Sequence, residues 1–139
     1  MKTVRMCAVF LAVAIAAPAL AGATDWDASV TITDATGEWE WGGEPKVVVT
    51  YEVHNLSDPP TTAIFHAKLG VSGNGAFGSA SEQLQVGPGE TARFTTDVSF
   101  VVPPSSFMSH LLEASVIVEA PNGHEFDRAT AGAPLTPPV

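Results

Sequence analysis

Four histidines are the residues of this chain best suited to bind a transition metal. They are His54, His66, His110 and His124, and Met108 lies close to the third of them. Neutral imidazoles together with a thioether could hold copper or zinc. No two of the histidines have the close spacing of a metal-binding pair, and a type 1 copper site would also need a cysteine ligand. We therefore expect solvated histidines and no cofactor, and a small metal carrier is kept as an alternative function.

Acidic side chains are the second group that could do chemistry. Glu38 and Glu40 stand two residues apart, as do Asp25 and Asp27. A hydrolase needs one carboxyl group in an apolar pocket, where its pKa is raised, and a second one at a fixed separation. The alternation of the sequence instead places the acids on solvated faces. The serines lie outside any Gly-x-Ser-x-Gly elbow, so the sequence favours a protein that is not an enzyme.

The first 23 residues have the pattern of an export signal. A short basic start, Met1–Arg5, precedes an apolar run, Met6–Ala17, and the small residues Ala21–Ala23. The apolar run has about 12 residues, which is short compared with the roughly 20 that span a bilayer. We therefore predict cleavage after Ala23, a mature chain that is secreted or periplasmic, and no membrane span after cleavage.

The charge and the cysteine content of the chain exclude further classes of site and of binding. The chain has 139 residues, of which 15 are acidic and 6 are basic, and it has one cysteine. Lys2, Arg5 and Cys7 all belong to the predicted leader, so the mature chain carries 15 acids, four bases and a net charge of −11. A disulfide or a zinc–cysteine site is therefore excluded. We also expect no nucleic-acid binding, because four bases cannot neutralise a phosphate backbone.

Apolar and polar residues alternate with a period of two in four segments, as in half-buried strands. These segments are Val47–His54, Ala63–Val71, Phe94–Val102 and Leu112–Glu119. Weaker strands are predicted at Ser29–Thr33, at Glu38–Trp41, at Gln83–Val86 and near Phe126. Clusters of Gly, Pro and Asn, such as Ser72–Gly78, separate the strands. The pattern predicts an all-β fold, an antiparallel immunoglobulin-like sandwich of two sheets with about seven or eight strands.

A single domain accounts for the mature chain. We expect the sandwich to span residues 24–131 and a Pro-rich tail, which cannot join a sheet, to follow over residues 132–139. The apolar sides of the strands predict the core between the sheets. Its predicted members are Val49, Tyr51, Val53, Phe65, Leu69, Phe94, Val98, Phe100, Val116 and Val118.

Two tryptophans, Trp39 and Trp41, alternate with Glu38 and Glu40 before a Gly-Gly turn. Residues two apart on a strand project from the same face. If that face points inward, both tryptophans belong to the core. If it points outward, they form an apolar platform, with the two glutamates behind it, on which a sugar ring or a partner protein could dock. These four residues are the candidate binding site.

Three stretches of the chain resemble a known family. Glu44–Ser57 is an apolar strand that ends in Val-x-Asn and a small residue, Leu84–Phe94 is a strand, a Gly-Glu turn and a strand, and Ser115–Glu125 is a strand with an Asn-containing turn. They look like parts of the cell-adhesion-related domain found in bacteria (CARDB) and its immunoglobulin-like relatives. The resemblance covers most of Asp27–Ala131. It implies an extracellular, non-enzymatic module used in adhesion or assembly, with no catalytic residues to carry over.

Together these features predict an exported, non-catalytic module for binding, adhesion or assembly at the cell surface or in the periplasm. Its partner would be a protein or a carbohydrate. Two alternatives stay open: a small copper or zinc carrier that uses the histidines, and a filament subunit that donates a strand to its neighbour. The oligomeric state does not follow from the sequence.

Overall fold

Seven strands form in the part of the chain that the computed structural model describes, residues 25–73, 75–101 and 110–136. They are β1 (Ala28–Glu38), β2 (Lys46–Asn55), β3 (Ala63–Gly73), β4 (Ala76–Val86), β5 (Thr91–Ser99), β6 (His110–Glu119) and β7 (Glu125–Leu135). One sheet has three strands in the order β1-β2-β5, and the other has four in the order β4-β3-β6-β7. All neighbours pair antiparallel. The predicted all-β sandwich of two sheets is confirmed.

The core lies between the two sheets and is built from the inward side of each strand. In β2 every second residue, from Val47 to Val53, is fully buried. Of the ten predicted core residues, nine are buried and Phe94 is half-buried. Phe94 lies on β5, an edge strand of its sheet, where its ring still packs 5.5 Å from that of Tyr51.

Strand β1 is longer than the sequence predicted. Ser29–Thr33 is only its first half, and the separate strand expected at Glu38–Trp41 does not form, because β1 ends at Glu38 and Trp41 lies in a turn. The pairing of β1 with β2 shifts at a bulge between Ile32 and Asp34. A bulge interrupts the period of two, and for this reason the alternation in the sequence did not show one continuous strand.

Two further strands extend beyond their predicted bounds. Strand β4 starts at Ala76, inside the stretch Ser72–Gly78 that was interpreted as a turn, so Gln83–Val86 is only its final part. Strand β7 runs to Leu135, which is buried, so the predicted Pro-rich tail starts too early. An edge strand tolerates Pro134 because the missing N–H is not needed on the unpaired side.

Two predictions concern the membrane. The predicted leader, residues 1–23, lies outside the described residues, so export stays a prediction. Over the residues that are described, the fold has no helix of the length and apolarity needed to cross a membrane.

Each side of the sandwich has a seam where an edge of one sheet meets an edge of the other. Along the seam between β1 and β7, the N–H of Val30 donates to Oδ2 of Asp127 at 2.9 Å. Farther along this seam, a Cβ placed on Gly37 would lie 2.6 Å from the carbonyl oxygen of Pro134. On the opposite seam, a Cβ on Gly78 of β4 would lie 2.6 Å from Cβ of Phe100. At both seams the chains therefore approach so closely that only glycine fits without a shift of its neighbours.

Replacing Gly78 with alanine should lower the free energy of unfolding by about 1–3 kcal/mol, because the added methyl group forces the two sheets apart. Gly70→Ala is the matched control, since its Cβ would meet the movable hydroxyl of Ser115 at 3.1 Å and lie 4.0 Å from the carbonyl oxygen of Gly78, an ordinary contact distance. Urea unfolding of both variants measures the difference. Equal stability of the two variants would show that the seam can open without cost.

Asn55 and Ser57 are buried polar residues in a predominantly apolar interior. The side-chain amide of Asn55, at the end of β2, donates to the carbonyls of Thr61, Val86 and Gly87. One side chain thus joins the end of β2 to the segment before β3 and to the turn between β4 and β5.

Candidate functional site

Most of the exposed apolar side chains lie at one end of the sandwich. This end contains the β1–β2 turn, the β3–β4 turn, the ends of β5 and β7 and the start of β6. Five large apolar side chains are exposed among the described residues, and the four at this end are 70–77% exposed. These four are Trp41, Phe77, Val101 and Leu111. We call the surface that they form the apolar end; the fifth residue, Leu56, is 45% exposed at the opposite end.

Backbone hydrogen bonds place the segments of the apolar end side by side. The N–H of Phe100 donates to the carbonyl of Pro45 at 3.2 Å, which ties the β1–β2 turn to the end of β5. The next N–H, that of Val101, donates to the carbonyl of Phe77 at 3.4 Å and forms an isolated bridge to β4. Trp41, Val101 and Phe77 therefore stand on neighbouring segments of a hydrogen-bonded frame.

An open groove of about 560 Å³ extends the apolar end onto the outer face of the four-stranded sheet. Small residues such as Ser72, Thr130 and Gly132 line it, together with Leu111 and Glu113. The Leu111 side chain leans over Gly132, because a Cβ there would lie 3.3 Å from its Cδ1. The small residues leave room for a partner side chain next to Leu111.

Carboxylates surround the apolar end. The exposed acids in or beside the β1–β2 turn and along the groove are Glu38, Glu40, Glu44 and Glu113. Lys46 is the basic residue described here, and its ammonium lies 3.0 Å from Asp97 and 3.8 Å from Glu38. The hydrogen bond to Asp97 raises the pKa of Lys46 above its ordinary value. The positive charge at this end is thus balanced by neighbouring carboxylates, whereas the negative charges of several carboxylates are not balanced.

The four residues of the predicted binding site do not share one environment. Trp39 is half-buried and packs against the core, whereas Trp41 is 72% exposed. The expectation of a shared face is wrong, because β1 ends at Glu38 and strand alternation no longer applies after it. Glu38 and Glu40 are exposed beside Trp41. Trp41 therefore belongs to the apolar end and the two glutamates lie at its rim, and their role in binding stays a prediction.

The histidines whose side chains are described lie on separate elements of the fold. His54 is on the outer face of the three-stranded sheet, where its Nδ1 lies 2.6 Å from Oγ1 of Thr91. His66 is on the outer face of the other sheet, and the His124 ring packs edge-on against Phe126. Met108 and the His110 side chain lie outside the described residues. Among the residues described, no group of three or more His, Cys, Asp or Glu could hold a metal ion.

An inward-facing acid, which the sequence analysis missed, links the two sheets. Glu82 stands between Ala80 and Leu84 on the inward side of β4. It accepts a hydrogen bond from the Tyr51 hydroxyl on β2 and another from the Thr96 hydroxyl on β5, the second at 2.5 Å. The signal in the sequence was an acid on the apolar side of an alternating segment. Both hydroxyls donate hydrogen bonds to this carboxylate, so its geometry is that of a structural link between the two sheets.

Tyr51 should keep its proton until strongly alkaline pH. Its burial, and next its hydrogen bond to Glu82, raise the pKa of Tyr51 above the ordinary value of about 10. The ordinary pKa applies to the unfolded chain and the raised pKa to the folded protein, so between them only the unfolded chain loses the proton. Stability is therefore fully present below about pH 10, and the free energy of unfolding falls by about 1.4 kcal/mol per pH unit above it. Tyr51 is the only tyrosine, so the absorbance of phenolate measures its ionisation directly.

Tyr51→Phe is the control for this prediction. Lysine side chains in general also ionise at alkaline pH, and the difference between the two proteins removes their contribution. The free energy of unfolding of the variant should decline less at alkaline pH, because the part of the decline that comes from the phenol is absent. A folded protein whose tyrosine ionises near pH 10 would contradict the burial of the hydroxyl.

Comparison with known proteins bears on the fold. No protein-family model matches the chain, and no curated protein matches it. Among solved structures, Bacteroides uniformis beta-glucuronidase superposes with a TM-score of 0.51 at 14% identity. A calcium-binding mutant of Bacteroides uniformis beta-glucuronidase 2 superposes with a TM-score of 0.50 at 13% identity. The matches cover 76% of this chain but only 12% and 13% of the two enzymes' chains, so they show a β-sandwich-type fold and nothing about activity.

Proposed function

We propose that this chain is an exported, non-catalytic β-sandwich module that binds a partner through its apolar end, in adhesion or assembly at the cell surface or in the periplasm. The observation that carries the proposal is the concentration of four exposed apolar side chains at one end of the sandwich. Contiguous apolar surface with a polar rim is typical of interaction sites. Export is inferred from the leader pattern of residues 1–23.

The order of the apolar end supports a binding role. Trp41, Phe77 and Val101 stand on strand ends and turns that are connected by the hydrogen bonds of Phe100 and Val101. Gly37 and Gly78 hold both seams closed near this same end. A surface that is already ordered loses little conformational entropy on binding, which leaves more of the apolar contact energy for affinity.

The placement of the titratable groups supports a non-catalytic role. The inward acid Glu82 is engaged by two hydroxyls. On the outer face of the four-stranded sheet, a second open groove contains Lys68 and Glu119, which form an ion pair at 3.4 Å. Glu82 also lines this groove. Because the groove is open, it does not hold a carboxyl group and a partner on both sides of an enclosed space, as a hydrolase requires.

Site-specific photo-crosslinking tests the proposal. A photoreactive amino acid is placed at Val101 in the protein expressed by the cells that normally make it, and adducts are identified by mass. We expect a defined adduct from Val101, because the backbone of that residue holds its position while its side chain is 77% exposed.

The same amino acid at Leu56 is the matched control. Leu56 is exposed but lies at the opposite end, so it should give no such adduct. Equal adducts from both positions, or none from Val101 in a folded protein, would contradict the proposed function.

A further inference from the structure

The charge around the apolar end indicates what kind of partner fits it. All 15 acids of the chain lie in the described residues, against four bases. Each of these bases is within ion-pair distance of a carboxylate: Lys46 with Asp97, Lys68 with Glu119, Arg93 with Glu52 and Arg128 with Glu125. A molecule that approaches this protein therefore meets apolar surface and uncompensated negative charge.

Exposed apolar surface and uncompensated negative charge coincide at the apolar end. Glu40 and Glu44 lie on either side of the turn that carries Trp41, with Gly43 bonded to the carbonyl of Glu40 at 3.0 Å. Glu113 lines the groove beside Leu111. Carboxylates thus lie beside Trp41 on the side of the three-stranded sheet and beside Leu111 on the side of the four-stranded sheet.

This arrangement opposes two other occupants. A second copy of the chain, docked end to end, would bring the same carboxylates against each other, and like charges across an interface are costly. An anionic bilayer would repel them for the same reason. Opposite charge on the partner removes the repulsion and adds attraction during encounter.

We infer that the occupant of the apolar end is a protein whose contact patch has an apolar centre and a rim of lysine and arginine. This inference rests on the proposed function, because it requires the apolar end to be a binding surface. It adds the chemistry of the partner. The apolar centre would pack on Phe77 and Leu111, and the basic rim would meet Glu40, Glu44 and Glu113.

A pair of synthetic peptides tests the inference with the secreted protein. One is an amphipathic helix of leucine and lysine, and the other has glutamate in place of every lysine; each is about 20 residues long, because isolated helices shorter than about 12–15 residues are marginal in water. Calorimetry should show binding of the lysine peptide and none of the glutamate peptide or of phosphatidylglycerol vesicles. The affinity should fall steeply from about 50 to about 500 mM salt, because exposed charges are screened.

Variants assign the binding to the apolar end. Phe77→Ser should weaken binding of the lysine peptide about tenfold, as loss of an apolar anchor does. The double variant Glu40→Gln and Glu44→Gln should weaken it about threefold through the loss of the acidic rim. Two controls at the opposite end, Leu56→Ser and the double variant Asp25→Asn and Asp58→Asn, should change it less than about twofold, although the second removes the same amount of charge.

The possible failures are distinguishable. If Phe77→Ser has no more effect than Leu56→Ser, the apolar end is not a binding surface and the proposed function fails with the inference. If Phe77→Ser weakens binding but the glutamate peptide or the vesicles bind equally well, the binding surface stands and the basic partner is wrong. Equal effects of the two double variants would mean that net charge alone attracts the peptide, and this also overturns the inference.

Discussion

Replacing Asn55 with alanine is expected to lower the free energy of unfolding by about 3–5 kcal/mol, because several buried groups lose their hydrogen-bond partner at once. The amide nitrogen donates to the carbonyls of Thr61 at 2.8 Å and of Val86 and Gly87 at 3.0 Å. The amide oxygen accepts from the N–H of Ser57 at 2.9 Å. Asn55 is 1% exposed, and its bond to the carbonyl of Val86 is buried, so water does not readily replace the lost amide there.

Asn122 provides a matched control for this prediction. Its side-chain oxygen also accepts from the N–H two residues later, that of His124, at 3.0 Å. Asn122 is exposed, so Asn122→Ala should cost less than about 1 kcal/mol. Urea unfolding of both variants isolates the contribution of the hydrogen bonds that the Asn55 amide nitrogen donates to the three carbonyls. Similar losses for the two asparagines would show that the carbonyls around Asn55 find other donors.

The second large effect is expected for Phe100→Ala, at about 3–5 kcal/mol. Phe100 is 4% exposed and belongs to the core cluster. Its Cβ faces the backbone of Gly78 across the seam between β4 and β5. The closed seam cannot collapse into the space of the lost ring, so the variant should retain a cavity, and the cost of a cavity grows with its volume.

Phe77→Ala is the control for this second prediction, because it removes the same side chain from a position that is 72% exposed. Its stability should differ from that of the unchanged protein by less than about 0.5 kcal/mol. Chemical denaturation measures both. A Phe100→Ala protein as stable as Phe77→Ala would mean that the inward and outward faces have been exchanged by a shift of one residue.

Alternation predicted the fold well wherever strands are regular and half-buried. Val47–His54 and Leu112–Glu119 fall within β2 and β6, and their apolar sides are the buried sides. It failed where local geometry departs from a period of two: at the bulge after Ile32, in the Gly-rich start of β4, and at Pro134 on an edge strand. These features depend on which strand is a neighbour, and a local pattern does not contain that information.

The candidate site was less accessible to prediction. Trp41 was identified together with Trp39, but their different burial depends on where β1 ends. Phe77, Val101 and Leu111 lie on three separate strands or strand ends and were not selected. Only the antiparallel order of the strands brings them to the same end as Trp41. Glu82 could have been found, since it interrupts an otherwise apolar face of β4.

The seam between β1 and β7 has a mechanical consequence. The two strands run in the same direction, so β1 starts at one end of the sandwich and β7 finishes at the other. Tension applied through the chain then pulls both strands lengthwise. This tension shears several contacts at the same time. They are the ladder between β1 and β2, the ladder between β7 and β6, the hydrogen bond between Val30 and Asp127, and the contact at Gly37. Rupture under force is governed by the unfolding rate, and many bonds that must break in one step make that rate slow.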